Sequence, residues 1–429
     1  MAGVDVVSIS SRSTIKPSSA TPPHLRTWKL SMIDQLIPNV PIPFILFYSP
    51  SPSHPPAAIL AHLKLSLSGA LTKFYPLAGR LDEPTSTVDC GDQGVEFLEA
   101  QAPGVVDLAA LLLMNPGTEL RGQLVPRACG STAECPGGAL LAVQATVFNC
   151  GGVSLGLSIS HKIADGVSYI SFLQSWADSV TTGGSEVVLE SGYFPPLELL
   201  LPEQDRRPTE RTMQRRFVLD GPQLTALRSA NGLYAATTFP TPTRVEAVTG
   251  LFWCAIIRAQ ADLGLAGKGA AHMVNLRKHM AAPATETLLG NFAFPVILTE
   301  EEGEDGTWRR LGLKLGKAAR ELNYESLQAA RGQGRLAFAV KSREEMARLP
   351  MRCGFSSWCR FPVYEIDFGW GKPAWAAFGG PVVKQSVFIV DRKDDEGVEV
   401  WVSLEQEEME RLVRDEELLS HVSLVGSQS

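Results

Sequence analysis

Residues 153–166, V-S-L-G-L-S-I-S-H-K-I-A-D-G, constrain the fold of this chain more than any other stretch. Val153, Leu155, Leu157 and Ile159 alternate with small or polar residues, the period-2 pattern of a strand that buries one face. His161 keeps the same parity, so the strand delivers an imidazole at its end, on the side of the apolar side chains. Asp165-Gly166 breaks the run, and Ile170, Leu173 and Trp176-Ala177 then return at helical spacing. Upstream, Leu141, Val143, Ala145 and Val147 alternate in the same way, and Asn149-Cys150-Gly151-Gly152 supplies a turn. The expectation is a hairpin whose second strand ends on a histidine, with a carboxylate four residues later at the mouth of a helix.

At 429 residues the chain exceeds one ordinary core, which predicts two domains. A net charge of −7 and the lack of a basic stripe exclude a nucleic-acid binder. No apolar run reaches the roughly 18 residues of a membrane span. The start, M-A-G-V-D-V-V-S, lacks the basic and apolar regions of a secretion signal, so a cytoplasmic location is expected. Seven cysteines, odd in number and without paired metal spacing, read as reduced thiols, with no metal site.

Along the chain, residues 1–30 read as an extended lead-in and the aromatic run 44–48 as a strand. Leu60, Leu63, Leu67, Leu71 and Phe74 recur as the inner face of a helix that Pro76 and Gly79 close. Short strands with Gly/Pro breaks are expected between 88 and 147. The proline- and charge-rich segment 196–216 reads as a crossover linker between a domain at 1–195 and another at 217–429. Thr243-Arg244-Val245-Glu246 is a capping box opening a helix, whose free N–H groups are a candidate anion site. Val274-Asn275-Leu276-Arg277 reads as a strand end, Gly290-Asn291 precedes another strand, and 309–336 and 405–422 read as amphipathic helices.

Two motifs carry chemistry. His161 and Asp165 alone weigh little, since a chain with seven histidines has roughly a one-in-three chance of such a pair. A metal reading needs both on one helical face and a third ligand; the preceding strand and Gly166 point to a turn instead. Asp367-Phe368-Gly369-Trp370-Gly371 is far more specific, expected by chance on the order of once in several thousand sequences. Its D-F-G is shared with protein kinases, but no glycine-rich loop and no H-R-D precede it. Gly369 and Gly371 suit a tight bend filled by a bulky ring.

H-K-I-A-D-G at 161–166 and D-F-G-W-G-K-P at 367–373 together resemble the plant BAHD acyl-CoA-dependent acyltransferases. L-S-M-I-D-Q-L (30–36), F-Y-P-L-A-G-R-L (74–81), V-D-C (88–90), V-N-L-R (274–277), G-N (290–291) and S-S-W-C-R (356–360) follow the family in order. Several of these blocks are most similar to the vinorine synthase-like branch, which often acetylates hydroxyl groups of alkaloids and terpenoids. The resemblance implies an α/β, two-domain fold related to chloramphenicol acetyltransferase. Each domain is a mixed sheet flanked by helices, a solvent channel lies between them, and part of the C-terminal half joins the N-terminal sheet. It implies His161 as general base and Asp165, beside Gly166, turned away to pair with Arg277 and shape the loop. It places residues 367–371 away from the histidine, as structural support on the CoA side. Thr243 and Arg244 are the candidates for CoA contacts.

The implied substrates are acyl-CoA, most directly acetyl-CoA, and a small-molecule alcohol. The implied enzyme is a cytoplasmic monomer with no bound cofactor, nucleic acid or membrane. A peptide-synthetase condensation domain would carry two adjacent histidines, whereas Ser160 precedes His161. A non-catalytic binding paralogue is opposed by the intact His161, Asp165 and Arg277. A malonyl, benzoyl or longer acyl donor, or an amine acceptor, stays open.

Overall fold

The computed structural model describes residues 6–104, 107–114, 116–126, 138–181, 189, 194–197, 207–229, 241–265, 269–279, 288–299, 308–321 and 351–425. The chain divides into two compact units that are interleaved in sequence. Unit 1 comprises residues 1–205, 283–292 and 362–382; unit 2 comprises 206–282, 293–361 and 383–429.

Unit 1 opens with β1 (Ser8–Ile15), β2 (Thr27–Lys29), α1 (Met32–Leu36), β3 (Pro41–Tyr48) and α2 (Pro56–Lys73). It continues through β4 (Arg80–Asp82), β5 (Thr87–Asp89), β6 (Val95–Ala102), α3 (Leu108–Met114), α4 (Thr118–Gln123), β7 (Leu141–Phe148), β8 (Val153–Ser160) and α5 (Gly166–Thr181). Unit 2 contributes β9 (Thr212–Leu219), α6 (Gly221–Ser229), α7 (Arg244–Ala261), β10 (Gly269–Asn275), β11 (Ala293–Thr299), α8 (Trp308–Glu321) and β12 (Met351–Ser357). After β13 (Trp375–Phe378), which returns to unit 1, the chain finishes unit 2 with β14 (Ser386–Asp391), β15 (Val398–Glu405), α9 (Gln406–Leu412), α10 (Glu416–His421) and β16 (Ser423–Val425).

The main sheet of unit 1 runs β1-β6-β7-β8-β3-β13. Only β6 and β7 pair in parallel; the other neighbours are antiparallel. The expected hairpin is β7–β8, with Gly151 taking the positive φ of its turn. Both faces of β8 are buried, which differs from the one-sided strand that alternation suggested. On one face Leu157 stands beside Phe44 of β3, and Phe44 meets Tyr169 of α5 edge-on at 6.0 Å. On the other, Gly156 and Ser158 lie under the chain that follows α4. A Cβ at Gly156 would run into Leu124 O, and Ser158 Oγ donates to Pro126 O at 3.3 Å. Serine is small enough to sit there; Ser158 finds a main-chain acceptor and Ser160 Oγ donates to Asn39 Oδ1 at 3.0 Å, so a fully buried face carries a polar sequence.

The sheet of unit 2 runs β11-β10-β12-β14-β15-β9-β16, parallel at β10–β12 and β12–β14 and antiparallel elsewhere. The Thr243–Glu246 capping box opens α7 as expected. α7 and α8 cross closely because Gly250 and Gly312 have no side chain: a Cβ on Gly312 would come within 2.7 Å of Glu246 O.

Four sequence expectations need correction. The linker 196–216 is too long, since β9 begins at Thr212. Its charges hid the strand, and Arg216 finds Glu399 on the neighbouring β15 at 2.9 Å, both side chains nearly buried. The lead-in contains β1, paired with β6. The strand-only reading of 88–147 missed α3 and α4. The C-terminal helix is two short ones, α9 and α10, because Asp415 leaves the first to cap the second through Leu418 N–H. The helix expected at 309–336 is seen to Glu321; the remainder lies outside the described residues, as do 198–206 of the linker and Cys129 and Cys135.

Candidate active site

β8 ends at Ser160, and the next residues are fixed by main-chain bonds rather than by helix or sheet. Ser160 N–H donates to Leu140 O, and His161 N–H donates to Val40 O at 2.8 Å. The approach to β7 therefore holds the residue before the histidine, and the approach to β3 holds the histidine's own N–H. The imidazole itself is half-buried. Its Nδ1 is sealed from solvent, and no hydrogen bond of good geometry reaches it among the described residues. Burial holds the imidazole pKa below its ordinary value, against the pull of its own main-chain carbonyl and of Asp165. A neutral ring at neutral pH can accept a proton.

Asp165 is buried and its carboxylate works on the chain. Oδ1 accepts the Ser168 N–H at 2.9 Å, capping α5, and Oδ2 accepts the Phe292 N–H at 2.9 Å. One side chain thus ties the start of α5 to residues 290–292, which arrive from the C-terminal half of the sequence. Ser168 Oγ reinforces the tie, lying 2.9 Å from Leu288 O and 2.7 Å from Gly290 O. Gly166 is the first residue of α5. Arg277, in the short turn after β10, is buried and belongs to unit 2; its N–H donates to Asn275 Oδ1 at 3.0 Å.

Two residues that the sequence offered only within longer blocks, and not as site residues, join the cluster. Asn291 is 1% exposed, and its Nδ2 donates both to His161 O and to Asp34 Oδ1, each at 2.8 Å. Asp34, 2% exposed, also accepts the Asn291 N–H at 2.7 Å and, through Oδ2, the Ser31 N–H at 2.9 Å. Burial raises the Asp34 carboxyl above the usual range, opposed by those donors. The available signal was Ser31-x-x-Asp34, a capping box with Asp in place of Glu.

The 367–371 loop is organised by its own aspartate. Asp367 Oδ1 accepts the N–H groups of Gly369 and Gly371 at 2.7 and 2.9 Å, and both glycines adopt positive φ, +104° and +114°. The bend stacks Phe368 on Trp370 at 5.5 Å and drives Phe368 edge-on against Trp176 of α5 at 5.1 Å. Trp370 meets Tyr48, the last residue of β3, at 6.1 Å. Tyr48 pairs with Val153 at the start of β8, while Pro41 pairs with Ser160 at its end. Seven residues of strand, ~23 Å, therefore separate the loop's end of β8 from the histidine's end.

The capping box at 243–246 closes on itself. Glu246 N–H donates to Thr243 Oγ1 at 3.2 Å, and Thr243 N–H donates to Glu246 Oε2 at 2.8 Å. Arg244 forms an ion pair with Asp391 at 2.9 Å. Among the described residues no group of three or more His, Cys, Asp or Glu could hold a metal ion, and no helix is long and apolar enough to cross a membrane.

These features have counterparts among known proteins. The chain is 34% identical over 423 residues to stemmadenine O-acetyltransferase of Catharanthus roseus, covering 95% of this chain and 96% of that one. It is 33% identical to limonoid 21-O-acetyltransferase of Citrus sinensis, covering 95% and 96%. The crystal structure of vinorine synthase superposes with a TM-score of 0.82 at 30% identity, covering 98% of this chain and all of that one. TRI101 of F. graminearum, solved with coenzyme A and deoxynivalenol, shares the fold alone, at a TM-score of 0.73 and 16% identity over 93% of this chain and all of that one. The model of the family described as Transferase family matches residues 6–419. With that span, these relatives and this fold, the chain belongs to the BAHD acyltransferases.

Proposed function

We propose that the enzyme moves an acetyl group from acetyl-CoA to a hydroxyl of a plant alkaloid or terpenoid, with His161 as general base in a ternary complex. The observation that carries this is the histidine's setting at the end of β8: its N–H held by Val40 O, its Nδ1 buried, and its pKa lowered by burial. An alcohol is a poor nucleophile until its proton leaves in the transition state. Nε2 takes that proton as the oxygen attacks the thioester carbon, giving a tetrahedral oxyanion and an imidazolium. Collapse breaks the carbon–sulfur bond, and the imidazolium protonates the departing thiolate. The ring returns to its neutral form and the acetyl ester is released. Acceptor and donor meet directly, so no protein nucleophile carries the acyl group.

Asp165 serves as a strut in this reading, since both its oxygens already accept main-chain N–H groups. The pairing of Asp165 with Arg277 is part of the proposal, and a double-mutant cycle on the two residues tests it. Residues 367–371 act as a structural support, consistent with the strand's length between them and His161. The names of the relatives support acetyl transfer to oxygen.

Incubating the protein with acetyl-, malonyl- and benzoyl-CoA and a panel of alcohols and amines, while following free thiol and product mass, tests the assignment. His161→Ala is expected to lower kcat by roughly 10²–10⁴ with folding intact. Full turnover in that variant would remove His161 as base. Binding without turnover across the panel would replace the enzyme with a small-molecule carrier.

A further inference from the structure

His161 lies in a turn that closes on the residue before it. Ser160 O accepts the Ile163 N–H at 3.2 Å, so His161 and Lys162 are the two central residues. Ser160 Oγ accepts the Lys162 N–H at 3.3 Å, a second closure of the same turn. The hydroxyl also donates to Asn39 Oδ1 at 3.0 Å. The Asn39 amide is oriented for this, since its Nδ2 donates to Glu83 Oε1 at 2.6 Å and leaves Oδ1 to the serine. Asn39 precedes Val40, whose carbonyl takes the His161 N–H at 2.8 Å. Two bonds therefore join residues 39–40 to residues 160–161, one through side chains and one through the main chain. Ser160 is 0% exposed and Asn39 8%, so bulk water does not replace a partner lost there.

We propose that Ser160 is a positioning residue for His161: its hydroxyl closes the turn that carries the imidazole and pins that turn to Asn39. This inference rests on the reading of His161 as general base. Ser160 acts through the backbone of the histidine and not on a substrate. Its main-chain bonds, to Leu140 O and from the Ile163 N–H, survive in Ser160→Ala, and only the two hydroxyl bonds are lost. The position at which this chain departs from a condensation domain's two adjacent histidines thus has a task of its own.

Labelling the full-length enzyme with ¹⁵N-histidine reads the setting of the ring without any acceptor, with His161→Gln identifying the resonances. One narrow set of His161 signals is expected in the wild type, and broadened or doubled signals in Ser160→Ala. With acetyl-CoA and the acceptor selected by the panel, kcat of Ser160→Ala is expected to fall roughly 10- to 100-fold. KM for acetyl-CoA should stay within about twofold. Ser160→Thr keeps the hydroxyl and should recover most of the rate. Asn39→Ala removes the other end of one bond but leaves the Lys162 N–H its acceptor, so it should lose less than Ser160→Ala. The double variant should lose no more than Ser160→Ala alone. A folded Ser160→Ala enzyme with wild-type kcat and one narrow set of His161 signals overturns the role. So does a threonine variant as slow as the alanine one, an additive loss in the double variant, or a lowered melting temperature with unchanged kcat per folded molecule. His161→Ala separates the two levels: full turnover there sinks the base assignment, whereas an inactive His161→Ala beside an unaffected Ser160→Ala sinks only the positioning role.

Discussion

Gly156, in the middle of β8, offers the sharpest test of how the histidine's strand is seated. Its neighbours in the ladder are Gln144 on β7 and Ile45 on β3, so it cannot move without disturbing three strands. A Cβ there would collide with Leu124 O and stand 3.0 Å from Leu124 C and 3.1 Å from Val125 Cα. All three are backbone atoms, which no rotamer change relieves. In Gly156→Ala the 124–126 segment must retreat by roughly 1 Å or more to restore ordinary contact. Overpacking of this kind costs about 1–3 kcal/mol. The retreat also strains two hydrogen bonds, Gln144 Nε2 to Gln123 O at 2.8 Å and Ser158 Oγ to Pro126 O at 3.3 Å. Each is worth about 1 kcal/mol. Removing a glycine from the unfolded chain returns about 0.4–1 kcal/mol. The net loss is about 2–4 kcal/mol, or roughly 5–15 °C in the melting temperature of unit 1. Differential scanning calorimetry resolves this, with Gly69→Ala on α2 as control. Gly69 has nothing within 4 Å of a new Cβ and should gain about 0.5–1 kcal/mol. If Gly156→Ala melts like the wild type, segment 124–126 does not rest on β8 and the account of that face is wrong.

Three further outcomes are expected. Asp165→Asn keeps a cap for α5 but can turn an NH₂ toward the Phe292 N–H, stranding a buried donor; a loss of about 1–3 kcal/mol should appear in thermal melts. An unshifted melt with slow turnover would make Asp165 a proton relay instead. If Arg244 contacts CoA phosphates it must exchange Asp391 for them, so Arg244→Ala should raise KM for acyl-CoA more than it lowers kcat. Equal KM values would end that role. His272, on β10, is buried against Phe355, and burial pushes its pKa down to about 4. The unfolded chain binds its proton near pH 6.5 and the folded chain only near 4. Stability is therefore full above 6.5 and falls by up to about 3 kcal/mol as pH drops toward 4. His272→Leu should flatten that slope in denaturant titrations; an unchanged slope would assign the acid sensitivity to other groups.

Local periodicity carried much of this fold because many elements obey it. The β7–β8 hairpin, α2, and the start of α7 all announce themselves within a few residues. Elements stabilised by partners distant in sequence did not. β9 looks like a charged linker until Arg216 meets Glu399, 183 residues away. The polar face of β8 reads as solvent-exposed until the 124–126 segment covers it. The site divides in the same way. His161 and Asp165 stand on one turn and are visible as a pair, whereas Asp34 and Asn291 are 257 residues apart and acquire meaning only on contact. Nothing local distinguishes Asp34 from an ordinary helix cap, and a single Gly-Asn pair carries no chemistry by itself.

The return of β13 to the first sheet has a consequence in time. β13 supplies the partner along β3 that would otherwise be an open strand edge. Residues 290–292, which Asp34 and Asp165 hold, also lie beyond the main N-terminal block. A ribosome that has just made residue 205 must add 177 more before residue 382 completes unit 1. At 5–20 residues per second that is an interval of about 9–35 s. Throughout it the nascent unit presents an unpaired strand edge and a histidine loop without its buttress, the situation in which edge-to-edge association competes with folding. The N-terminal half is thus no independent module, and a chain cut near residue 205 should need chaperone protection or the remainder of the sequence supplied in trans.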